Sequence, residues 1–311
     1  MTINGLNISE YGLILIGKNP NQYNLSSVLR YPDRETVEFR NWAEINGIDP
    51  DLSDFNVKSK SVKLQFLMEA DTLELFWTRY RKLIADITLP KPHTFVFEDL
   101  GERTYRYDAN SSFSHPMPFN AGKNLTLITL DFIEEKPYVR EDRVPFSTSA
   151  PKGQFSINGY DFGEFGLHVE FGTDDLLKYP SMKNPFTDGK TVDFSTITLS
   201  HKEVKFDLWQ IAKSKEEFLR NHAAFWNALA KHGTIDLYIN ILDAVTGIYY
   251  NSCGSYAIEK WSEKICAARF SINITVPYVN YADGGGTIYT YGLWDDDNGF
   301  ICDEDGSILI L

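Results

Sequence analysis

The chain repeats itself. Ile3-Asn4-Gly5 recurs as Ile157-Asn158-Gly159, and Glu10-Tyr11-Gly12-Leu13 as Glu164-Phe165-Gly166-Leu167, both 154 residues later. Lys60-Ser61-Val62-Lys63-Leu64 returns 142 residues on as Lys202-Glu203-Val204-Lys205-Phe206. Pro137-Tyr138-Val139 returns 140 residues on as Pro277-Tyr278-Val279. Anchors in the same order make a duplication, and the falling offset means shorter loops in the second copy. The fold must therefore be one that each copy forms.

Local patterning agrees in both copies. Val62, Leu64, Phe66 and Met68 alternate with Lys63, Gln65 and Leu67, the period of a strand with one buried face; Val204, Phe206 and Leu208 repeat it. A helix follows each strand. Phe76, Trp77, Tyr80, Leu83, Ile84 and Ile87 make one stripe, and Phe218, Leu219, His222, Phe225, Trp226 and Leu229 make the other. Asp71-x-x-Glu74 and Ser214-x-x-Glu217 read as the helix-opening caps. Apolar alternation resumes after each helix, at His93–Phe97, Tyr105, Tyr107 and Leu125–Phe132, and at Gly233–Leu237, Tyr249-Tyr250 and Ala268–Ile274. Each copy is thus mainly β with one helix (α+β). One helix covers only one side, which predicts a strongly curved sheet, a β-sandwich or split barrel plugged by the helix.

These limits divide the 311 residues into copy one at 1–139, a Pro- and Ser-containing linker at 140–156, copy two at 157–279 and an extension at 280–311. The extension opens on Gly284-Gly285-Gly286. Its apolar segments Phe300-Ile301-Cys302 and Ile308–Leu311 flank Asp305-Gly306, which predicts a short β hairpin packed on a sheet edge. The formal net charge is −13, of which the extension carries −7 and the two copies −4 and −3. Such a balance argues against a nucleic-acid binder, which needs a basic face. No apolar run reaches the ~18 residues of a membrane span. The opening residues lack the features of a secretory signal. Three cysteines, Cys253, Cys266 and Cys302, lack C-x-x-C spacing and read as free thiols of a reducing compartment.

Motifs that carry catalysis or ligand binding are sparse. Gly189-Lys190-Thr191 resembles the end of a P-loop, but Asn184 stands where the loop needs glycine. There is no H-E-x-x-H, no G-x-S-x-G and no closely spaced pair of histidine ligands. His222 on the helix stripe reads as a core filler rather than a general base. The acids Asp295, Asp296, Asp297, Asp303, Glu304 and Asp305 do not follow the calcium-loop pattern, since Trp294 and Ile301 occupy the key upstream positions. No catalytic residue, metal or cofactor is expected. Aromatic residues make up 14% of the chain and read as strand and interface packing. A carbohydrate-binding adhesin and a cell-wall glycan hydrolase are the alternatives, the second requiring a pair of carboxylates that the sequence does not identify.

The ordered set Ile3-Asn4-Gly5-Leu6-x-Ile8-x-x-Tyr11-Gly12-Leu13, then Lys58-x-Lys60-x-Val62-x-Leu64, then Phe76-Trp77-x-x-Tyr80 resembles the distal tail proteins of long-tailed bacteriophages. The resemblance covers residues 3–139 and, more weakly, 157–279. It implies two tandem tail-tube-like domains and a non-enzymatic virion protein of the phage tail, made in the bacterial host cytoplasm. That protein would self-associate into a ring joining the tail tube to baseplate or receptor-binding proteins. Distal tail proteins usually carry one such domain. Baseplate hub proteins carry two and close a pseudo-sixfold ring from three chains, so a trimer is favoured over a hexamer. The charge balance adds a neutral to acidic lumen without stable DNA binding.

Overall fold

The structure is a computed structural model that describes residues 1–16, 25–42, 45–109, 114–120, 124–137, 145, 154–178, 180–183, 198–278, 281–283 and 288–289. The first half runs β1 (Thr2–Ile3), β2 (Leu6–Asn7), β3 (Leu13–Leu15), α1 (Ser26–Leu29), β4 (Phe39–Arg40), β5 (Asp49–Pro50), β6 (Lys60–Glu69), α2 (Leu73–Ile87), β7 (His93–Phe97), β8 (Gly101–Tyr107), β9 (Ser114–Asn120) and β10 (Leu125–Glu134). The second runs β11 (Phe155–Ile157), β12 (Tyr160–Asp161), β13 (Leu167–Phe171), α3 (Thr173–Leu177), β14 (Met182–Lys183), β15 (Thr198–Leu199), β16 (Lys202–Ala212), α4 (Lys215–Leu229), β17 (Ile235–Ile239), β18 (Ala244–Trp261) and β19 (Cys266–Val276), then β20 (Tyr281–Asp283) and β21 (Ile288–Tyr289). The protein is mainly β, with two curled sheets and few helices.

The two sheets follow one path. The first orders its strands β2-β1-β7-β8-β10-β6-β3, with β9 also on β10; the second orders them β12-β11-β17-β18-β19-β16-β13. β18, eighteen residues long, takes the places of both β8 and β9. All pairings are antiparallel. β2 and β3 lie at opposite edges of the first sheet, yet only one 3₁₀ turn, Ile8–Tyr11, joins them. The edges must approach each other, so the sheet curls into a half-barrel. The turn Phe162–Phe165 does the same in the second half.

The repeated opening motif is the chemistry of that curl. Asn4-Gly5 and Asn158-Gly159 all have positive φ, near 50° for the asparagines and 83° for the glycines. Consecutive positive φ values make the type I′ turn whose twist suits a two-residue hairpin. Asn7 and Asp161 then cap the 3₁₀ turns, each side chain accepting the backbone N–H two residues on. Gly12 and Gly166 end the turns at φ 69°, where a Cβ would collide with the carbonyl of Glu69 or Ile211 on the neighbouring long strand. The motif therefore encodes a path from one sheet edge to the other.

Each curled sheet wraps a buried cluster, and neither cluster stays within its own half. Ile3, Leu64, Phe66, Phe95 and Phe132 of the first pack with Phe218, Ile258, Trp261 and Ala268 from the second. Conversely, Tyr31 is buried among Phe206, Phe225, Trp226 and Phe270, with Phe55 and Val57 packed alongside. Burying one such side chain stabilises by roughly 1.5–3 kcal/mol. The halves are interlocked by this exchange.

Several expectations shift. Each half has a second, short helix, α1 or α3, so one helix per copy is corrected to two. Helix α2 is capped by Thr72, whose hydroxyl accepts the Leu75 N–H, and not by Asp71. Ser214 caps α4 in the same way, which puts the two caps in register at the 142-residue offset. Strand β11 begins at Phe155, inside the segment read as linker. In the extension, β20 pairs with the start of β18, so its first residues lengthen the second sheet. The Gly189 motif, the acids at 295–305, Cys302, the 300–311 hairpin and most of the linker lie outside the described residues. No helix among the described residues is long and apolar enough to cross a membrane.

Candidate functional site

The strongest concentration of buried polar groups lies where the halves meet. It begins with a lysine. Lys60 opens β6, and its burial follows from the strand's alternation, which turns Lys60 inward with Val62 and Leu64. Its Nζ donates to the Val28 carbonyl at 2.8 Å and the Arg30 carbonyl at 3.3 Å, satisfying the end of α1. Across the sheet, Glu134 lies opposite Lys60, and the two form an ion pair at 2.9 Å. The side chains are 7% and 6% exposed, so little water screens the pair. Burial lowers the lysine's pKa, and Glu134 offsets part of that fall.

From the end of α1 the chain crosses to the second half. The Arg30 Nε donates to the Cys253 carbonyl at 3.0 Å, and Asp33 accepts the Cys253 N–H at 3.1 Å. Tyr31 stacks on His222 at 4.3 Å and on Trp226 at 5.4 Å, and its hydroxyl donates to the His222 carbonyl at 3.0 Å. Tyr250 donates to the Pro32 carbonyl, and Gly233 to the Leu52 carbonyl, both at 2.9 Å. On the other side, Asp99 receives Lys215 at 3.1 Å and the Trp261 indole N–H at 3.1 Å. Between these contacts lies a cavity of about 290 Å³, lined in part by Lys60, Asp99, Leu100, Arg103, Leu219 and His222.

The groups around it are held in unreactive forms. Burial pushes His222 down to about 3, so its imidazole is neutral over the physiological range. It lies between the rings of Tyr31 and Phe218. Burial pushes the Cys253 thiol up to about 11 and raises that of Cys266 as well, so both stay protonated near neutral pH. Among the described residues, no cluster of three His, Cys, Asp or Glu side chains could hold a metal ion. The arrangement clamps two sheets together.

Sequence reasoning located Lys60 and His222 as members of the repeat and the helix stripe. It missed Tyr31, whose partner His222 lies 191 residues away. A signal was present: Arg30-Tyr31-Pro32 recurs as Lys178-Tyr179-Pro180, just after α1 and α3. Lys202 in turn opens β16 and donates to the Leu176 and Lys178 carbonyls at the end of α3, as Lys60 does for α1.

No protein-family model matches this chain, and none of the curated proteins does. Among solved structures, the chain is similar to the crystal structure of the SPP1 Dit (gp 19.1) protein, given as a paradigm of the hub adsorption apparatus in phages infecting Gram-positive bacteria. The TM-score is 0.30 at 11% identity, over 88% of this chain and 96% of that one.

Proposed function

We propose that the chain is a non-enzymatic structural component of a phage tail. In this reading it is a ring-forming adaptor at the distal end of the tail tube, which it joins to baseplate or receptor-binding proteins. The observation that carries the reading is the ordered motif set, whose opening residues and strand lysine have the same structural tasks in both halves. Asn-Gly turns the hairpin, Asn7 or Asp161 caps the 3₁₀ turn, Gly12 or Gly166 lets the chain pass the long strand, and Lys60 or Lys202 caps a short helix. One chain so built offers two similar sheets in a fixed relation, two positions of a ring. Three chains make six positions, which suits a sixfold tube. Mass photometry of the purified chain tests this: a closed trimer is expected, and a chain that stays monomeric and is absent from purified tails would contradict it. Since the two copies carry net charges of −4 and −3, a low-salt gel-shift assay is expected to show no DNA binding; tight, salt-sensitive binding would contradict an acidic or neutral lumen.

A further inference from the structure

A groove of about 600 Å³ runs between the outer face of the second sheet and the excursion that joins β3 to β6 in the first half. Its floor owes its chemistry to a β-bulge. On β18, Tyr249 and Tyr250 oppose Thr275 and Ile274 of β19, and Ser252 and Cys253 oppose Asn273 and Ile272, so Asn251 is one residue too many. Tyr250 and Cys253 stay buried on either side of the bulge. Two consecutive polar side chains, Asn251 and Ser252, are thereby left on the outer face, beside Asn273 of the next strand. Regular alternation would turn one of the two into the core.

The wall is fixed as firmly as the floor. The Arg34 N–H donates to the Asn251 carbonyl at 2.8 Å, the Glu35 N–H to the Asn56 carbonyl at 2.9 Å and the Lys58 N–H to the Asp33 carbonyl at 2.8 Å. The Arg34 guanidinium lies over the rings of Phe55 and Tyr249. Within the floor, Asn251 Nδ2 donates to Thr275 Oγ1 at 2.7 Å, and Asn273 Nδ2 to Ser252 Oγ at 2.8 Å. Both amides thus use a donor on the sheet, and their carbonyl oxygens accept nothing from the described residues. Glu35 and Glu203 are exposed and form no ion pair among the described residues. The groove is also lined by Phe39, which is 50% exposed and has its ring 6.0 Å from that of His201.

We propose that this groove binds an uncharged oligosaccharide. A sugar ring carries hydroxyl groups around its rim and C–H bonds on its faces. The hydroxyl groups donate to amide carbonyls and carboxylates, the acceptors that Asn251, Asn273, Glu35 and Glu203 supply. The C–H faces pack on an exposed aromatic ring, here Phe39. The volume suits a small ligand, whose sites span roughly 300–1,000 Å³. Of the charged side chains along the groove three are basic and four acidic, a balance that does not draw in a polyanion. Because wall and floor are already hydrogen-bonded in place, little ordering opposes binding. The ring reading makes no use of this surface, and the inference stands whether or not a ring forms.

A microarray of bacterial-surface and plant oligosaccharides, probed with the full chain, tests this. Neutral oligosaccharides are expected to be bound in preference to anionic ones. For the best-bound sugar, Phe39→Ala and Asn273→Ala are each expected to weaken binding about tenfold in titration calorimetry, since each removes one contact to the ligand. Phe39 is exposed and Asn273 half-buried, and an unchanged melting temperature verifies folding of each variant. Trp42, 51% exposed, lies between β4 and β5 but outside the groove, so Trp42→Ala is expected to leave the affinity unchanged. An array on which no neutral glycan is bound, or on which anionic ones are preferred, would overturn the ligand. Folded groove variants that bind as tightly as the parent, or a Trp42→Ala chain weakened as much as Phe39→Ala, would overturn the site.

Discussion

Lys60 and Lys202 occupy the same position in two copies of one fold, but their surroundings differ. Both open a long strand, both are buried, and both donate to the last carbonyls of a short helix. Opposite Lys60 stands Glu134; opposite Lys202 stands Val276. The shared role is therefore to cap the helix, since the last carbonyls of any helix lack intrahelical donors. The cross-strand carboxylate is an addition of the first half among the described residues, where the lysine lies beside the cavity between the halves. Burial brings Lys202 down to about 8, with Asp175 as its opposing charge, while Lys60 has Glu134 in contact.

This comparison is most sharply tested by removing the cation. Lys60→Met leaves Glu134 buried without its partner and two carbonyls without a donor, a loss of about 3–5 kcal/mol in urea unfolding. Glu134→Val gives the first half the arrangement of the second, and is expected to cost about 1–2 kcal/mol. If the two substitutions cost the same, the ion pair and not the cap is what matters, and the comparison breaks.

The next effect is in pH. In the unfolded chain Lys202 titrates near its ordinary 10.5, and in the folded protein near 8. Between those values the unfolded state binds more protons, so stability rises with pH from about 8 to 10.5. Below pH 8 the lysine is charged in both states and contributes no slope. Lys202→Met is expected to remove this alkaline gain; an unchanged slope would show that Lys202 is not the source.

The smallest effect concerns the caps. Thr72→Ala and Ser214→Ala are each expected to cost about 1 kcal/mol, since each removes one hydrogen bond to a first-turn N–H. Equal costs would support the residue-to-residue equivalence of α2 and α4. A silent Thr72→Ala beside a costly Asp71→Ala would return the cap to Asp71.

What could be read from the sequence was local. The alternation of Val62, Leu64, Phe66 and Met68 and the stripe through Phe76, Leu83 and Ile87 report burial because side-chain direction follows strand and helix periods. Asn4-Gly5 and Gly12 were legible as a repeat, although their tasks in the turn became clear only from φ. Helices α1 and α3 escaped notice because four or five residues cannot display a 3.6-residue period. The cap on α2 was misplaced because Asp71 and Thr72 are adjacent and both suit the role. The exchange of core residues between halves left no local trace, since Tyr31 reads as one aromatic in a loop until His222 and Trp226 are brought beneath it.

The central claim is that one chain supplies two similar positions of a ring, one from each half. Electron cryomicroscopy of the assembled ring tests it most directly. The account predicts three chains and six similar sheets around the lumen. A ring of six chains would contradict it.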